Sequence, residues 1–106
     1  MTDRELLELA AKAAGMELNG SHDYRGVGLR KGPHNYWNPL AHDGEALRLA
    51  VQLGLNVYIY PKDRFTMCES DEGIFYDDAK FGGTCDPYAA TRRSIVRAAA
   101  KIGSAL

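Results

Sequence analysis

Apolar positions recur at helical spacing in three stretches of the chain and alternate at strand spacing in others, and Gly, Pro, Asn and Asp punctuate the gaps. The first stretch opens on Thr2-Asp3-Arg4-Glu5, a T-x-x-E capping box in which hydroxyl and carboxylate satisfy the leading backbone N–H groups, and Gly15 supplies the stop. Leu6, Leu9, Ala10 and Ala13, with Leu7 beside them, form its predicted buried stripe, and Glu8 and Lys12 are spaced as an i,i+4 ion pair. In the second, Asn38 before Pro39 is expected to cap a short turn, and Asp43 to cap a helix from Gly44 to Leu53 that ends at Gly54. Leu47, Ala50, Val51 and Leu53 are its apolar positions. The third begins at Asp86-Pro87, an N-cap followed by proline at the first helical position, and runs to about Ile102 before Gly103. Tyr88, Thr91 or Arg92, Ile95, Ala99 and Ile102 trace its predicted inner side.

Strand patterns fall between these helices. Tyr24 to Arg30 reads as a strand through Val27 and Leu29, weakened by Gly26 and Gly28 and preceded by a turn at Asn19-Gly20-Ser21. Leu55 to Tyr60 alternates, with Leu55, Val57 and Ile59 on one face and Asn56, Tyr58 and Tyr60 on the other. Phe65 to Glu69 and Ile74 to Tyr76 continue it as a meander across turns at Pro61–Arg64 and Ser70–Gly73. Lys31 to Tyr36 is expected to be a loop, and Asp77 to Cys85 irregular. The order predicts a single α+β domain over residues 1–106, with an antiparallel meander of about four strands, three helices and α/β/α layering. A helix is expected to cover Tyr58 and Tyr60.

Composition narrows the function classes. With 106 residues and 45% hydrophobic content the chain can bury one core, and a net charge of −1 gives little attraction to phosphate backbones, so direct nucleic-acid binding is not expected. A charged amino terminus and the lack of any run of ~18 apolar residues point away from a membrane and to the cytoplasm. Cys68 and Cys85 are then expected to be reduced thiols.

Reactive constellations are sparse. His22, His34 and His42 lack metal-ligand spacing, so neither a metal nor another cofactor is expected. Asp71, Glu72, Asp77 and Asp78 form an acidic stretch without the calcium-loop pattern or an activated nucleophile nearby, which argues against an enzyme. Arg93, Arg97 and Lys101 recur at i, i+4 and i+8 as a basic ridge, with Arg92 as a possible extension. Their position suits the helix dipole, and it also suits an acidic partner. Tyr36 and Trp37 read as packing lids, with Trp37 setting the entry to the second helix.

Trp37-Asn38-Pro39-Leu40, the run Asp43 to Val51, the run Tyr88 to Ala100 and the opening helix from Leu6 to Gly15 together resemble the phage ABA sandwich domain family, small accessory proteins of tailed phages and prophages. The resemblance covers nearly the whole chain and implies helix, sheet and helix layers. It brings no biochemical assignment. Against that pattern the chain has extra residues around 31–36 and 71–84, and loops lengthened on a rigid scaffold are where binding surfaces arise. Lys31, His34, Tyr36, Asp71, Glu72, Asp77 and Asp78 therefore join Arg93, Arg97 and Lys101 as partner-binding candidates. The leading expectation is a non-enzymatic protein that binds and inhibits a host protein complex, CRISPR effectors being one class. The alternatives are a small ligand- or metal-binding domain or minor enzyme using His34, His42 and the acidic loop, and a nucleic-acid module using the last helix.

Overall fold

The T-x-x-E box at the start of the chain closes as its spacing requires. In the computed structural model, which describes residues 1–30, 35–70, 73–77 (backbone alone for 74–77) and 86–106, the Thr2 hydroxyl accepts from Glu5 N–H at 3.2 Å and Thr2 N–H reaches the Glu5 carboxylate at 3.5 Å. Helix α1 (Asp3–Ala13) ends in a Schellman closure around Gly15 at φ 73°, with Met16 N–H bonded to the Ala11 carbonyl and Gly15 N–H to that of Lys12. Its buried residues are Leu6, Leu7, Ala10 and Ala11, while Leu9 and Ala13 are half-buried, so the stripe is turned toward Leu7 and Ala11. Glu8 pairs with Arg4 at 3.3 Å and not with Lys12, whose ammonium reaches the Leu106 main-chain oxygen.

Two three-stranded antiparallel sheets take the place of the single meander of about four strands, and the α+β class holds. The first comprises β1 (Leu18–Asp23), β2 (Gly26–Leu29) and β3 (Tyr36–Trp37), and it packs on α1. The expected turn at Asn19–Ser21 lies inside β1, where the register slips between Leu18 and His22. Asn19 Oδ1 accepts from Ser21 N–H at 2.8 Å beside Gly20 at φ 90°, so an Asx turn sits in the strand as a bulge. Tyr36, expected in a loop, pairs with Gly28.

The second sheet, β4 (Asn56–Tyr60), β5 (Phe65–Ser70) and β6 (Gly73–Asp77), is the predicted meander in register Tyr60↔Phe65 and Ser70↔Gly73. Val57 and Ile59 share a face with Cys68 and Thr66, and this face meets helix α3 (Pro87–Ser104). The expected helix over the opposite face is not found among the described residues. There Tyr60 is exposed, and half-buried Tyr58 donates its hydroxyl to Glu69 at 3.1 Å, an arrangement that raises the Tyr58 pKa.

Helix α3 is the hub. It packs against α1, against the second sheet and against α2 (Asp43–Leu53), and its buried residues run from Ala90 to Gly103 around most of its circumference. Gly103, expected beyond the helix end, is buried within it. A Cβ there would collide with the Leu9 carbonyl oxygen, so the missing side chain lets α1 and α3 approach.

The start of α2 differs from expectation. Asp43 is the first helical residue, and His42 takes the cap position without a side-chain bond. The turn before it is held by the main chain: Asn38 C=O accepts from Ala41 and His42 N–H at 3.0 and 3.1 Å, and Asn38 N–H donates to the Glu45 carboxylate at 2.6 Å. Trp37 is buried at this entry, as its sequence context suggested. Ala46, Leu49 and Ala50 face inward, whereas Leu47 and Val51, expected inside, are 63% and 73% exposed. The buried stripe is shifted one position around the helix because small Ala46 and Ala50 let α2 lie close to α3.

Candidate functional site

The β1–β2 hairpin presents an ordered cluster at its tip. Asp23 Oδ1 accepts from Arg25 N–H at 2.8 Å, and the Arg25 side chain folds back on the same carboxylate, with Nη2 2.7 Å from Oδ2. The guanidinium carbon lies 3.9 Å from the Tyr36 ring centroid and 5.7 Å from that of Tyr24, and Nη2 also donates to the Tyr36 hydroxyl at 2.7 Å. Side-chain hydrogen bonding to Arg25 holds the Asp23 carboxyl below its ordinary pKa, and the same bond raises that of Arg25.

The backbone brings these groups together. Gly26 sits at φ 112°, and a Cβ there would collide with the Trp37 carbonyl oxygen, so β2 and β3 can approach only at glycine. The Gly28↔Tyr36 pairing then carries the Tyr36 ring to Arg25. Tyr24, 90% exposed, stands at the outer edge.

Of the sequence-predicted partner residues, Tyr36 belongs to this cluster. Lys31, His34, Asp71, Glu72 and Asp78 lie outside the described residues, and Asp77 ends β6 opposite Thr66. The basic ridge is not three unengaged cations, because the Arg93 guanidinium holds Asp3 at 3.0 and 3.3 Å and ties α3 to α1. Arg97 is half-buried and Lys101 exposed further along the helix. Arg92 does not extend the ridge: it turns inward, donating to the Leu40 carbonyl and to Asp43, both at 2.7 Å. Tyr24 and Arg25 were missed by sequence reasoning. The signal available was Asp23-Tyr24-Arg25-Gly26, a polar-aromatic turn ahead of a glycine-bearing strand.

A second exposed surface is a groove of about 550 Å³ between α2, β4 and the start of α3. Ala46, Leu47, Val57, Ile59, Tyr88 and Ile95 line it, and the Asp43–Arg92 pair stands at its side. Tyr88, expected inside, is exposed here with Leu47 and with Ile59 at 52%.

Among the described residues no three His, Cys, Asp or Glu side chains gather as metal ligands would, and no helix is long and apolar enough to cross a membrane. Cys68 is a free thiol buried on β5, and burial pushes its pKa up to about 11. Comparison of the chain with protein-family models, with curated proteins and with solved structures finds no match.

Proposed function

We propose that the chain acts by binding another protein, anchored through the Tyr24–Arg25–Tyr36 tip. The resemblance to small phage proteins suggests the setting, inhibition of a bacterial host complex, with defence complexes of the CRISPR type as the first class to test. The observation that carries the reading is the pairing of an almost fully exposed Tyr24 with a guanidinium already clamped by Asp23 and stacked on Tyr36. Tyrosine and arginine are over-represented among residues that dominate interface energies, and a side chain ordered before binding loses less entropy on contact. Asp23 offsets the charge of Arg25, so the tip offers aromatic area and directed donors more than net charge.

The test is affinity capture of the tagged chain from lysate of a bacterium carrying an active defence system, with phage plating on the same cells. A stoichiometric partner is expected, and Tyr24→Ala should weaken its capture by about 30-fold, the equivalent of ~2 kcal/mol at an interface anchor. Equal capture by wild type, Tyr24→Ala and Arg25→Ala would remove the tip from the interaction, and unchanged phage plating would remove the inhibitory role.

A further inference from the structure

We infer that the open edge of β4 pairs with the β4 edge of a second copy about a two-fold axis at Tyr58, joining two sheets into one of six strands. This inference stands on residues other than the hairpin tip and is independent of the reading above.

The direction of the backbone groups comes first. The Thr66 hydroxyl on β5 donates to the Tyr58 carbonyl at 3.2 Å, so Tyr58 turns its main-chain groups toward β5. By the alternation of an antiparallel ladder, Val57 and Ile59 then turn their N–H and C=O outward, and among the described residues neither has a partner for them. The edge is also short of the devices that normally block pairing. Asn56-Val57-Tyr58-Ile59-Tyr60 carries no charge and no proline, and Ile59 is half exposed.

A two-fold axis at Tyr58 sets Val57 opposite the second copy's Ile59 and the reverse, which supplies four main-chain hydrogen bonds. The pairing then stops for a local reason. The next outward positions are Leu55, whose N–H is already bonded to Ala50 C=O at 2.9 Å, and Pro61, which has no N–H.

Charge complementarity favours the same register. It brings the Pro61–Arg64 turn of one copy, with exposed Lys62 and Asp63, toward the Gly54 end of α2 in the other, a helix whose last turn contains no basic residue. The ammonium there complements the negative end of the helix dipole. Ile59 and Leu47, both more than half exposed, share the groove wall beside this edge. The interface is isologous, as closed dimers require.

The experiment combines mass and cross-linking on the full chain. Sedimentation equilibrium of the wild type at high micromolar concentration should give twice the chain mass. Ile59→Lys, which puts a charge on the exposed edge, should give the single mass with unchanged far-ultraviolet circular dichroism. Tyr58→Cys under mild oxidant should form a covalent dimer, because a central non-hydrogen-bonded pair brings the two Cα atoms to about 4.5 Å, within disulfide reach. Tyr60→Cys and the wild type should not. A wild-type monomer would overturn the inference, and so would a dimer that cross-links at position 60 and not at 58.

Discussion

At the scale of single residues, the tip depends on one carboxylate. Asp23 bonds both the backbone and the side chain of Arg25, and Arg25 in turn holds the Tyr36 ring and hydroxyl. Because the Asp23 pKa is lowered on folding, the stabilising contribution is complete above the unfolded-state value of about 3.9 and is lost as pH falls through the lower folded-state value. The carboxyl carbon shift of Asp23, followed by NMR, should therefore titrate below ~3.9, and the aromatic shifts of Tyr36 should follow the same midpoint. A midpoint at or above the ordinary aspartate value would show that Arg25 does not hold the carboxylate in solution. Tyr36 was legible as a candidate, but the residue that organises it was not. Arg25 reads from the sequence as one more surface cation, and only the Gly28↔Tyr36 pairing reveals what it stacks on.

At the scale of elements, what was legible followed local chemistry and what was missed depended on packing. The capping box of α1, the Asp86-Pro87 start of α3 and the β4–β6 meander are all set by residues adjacent in the chain. The first sheet was only partly visible because its middle strand carries two glycines, and β3 is two residues long. Helix faces failed in a similar way: Leu47 and Val51 have the larger side chains, yet α2 packs through Ala46 and Ala50. Gly103 shows the principle most directly. Its residue type suggests a helix stop, whereas contact with the Leu9 main chain makes it a packing position in the last turn, one residue before the helix ends. Gly103→Ala should raise local helix propensity by about 1 kcal/mol and force α1 from α3, and overpacking of this kind costs about 1–3 kcal/mol. A net fall in thermal midpoint is expected by differential scanning fluorimetry. A rise would mean that the two helices separate freely at this point.

At the scale of the whole molecule, α3 joins α1, α2 and the second sheet, and its two adjacent arginines connect it in opposite ways. Arg93 reaches α1 through Asp3, with both side chains substantially open to solvent. Arg92, only 17% exposed, satisfies the Leu40 carbonyl and the Asp43 carboxylate, and so locks α3 to the turn that precedes α2. A solvent-exposed ion pair contributes up to about 1 kcal/mol, and salt screens it. A hydrogen bond from a charged group contributes about 1.5–3 kcal/mol, and removing the donor leaves the Leu40 carbonyl without its partner. Urea unfolding should therefore rank Arg92→Ala as the more destabilised of the two variants. Raising sodium chloride to about 1 M, where the screening length is near 3 Å, should erase most of the Arg93→Ala deficit and leave that of Arg92→Ala largely in place. Equal deficits with equal salt dependence would place both arginines at the surface of the fold, and the link between α3 and the α2 entry would then rest on apolar packing, with Ala46, Leu49, Ala50 and Ile95 in the shared core.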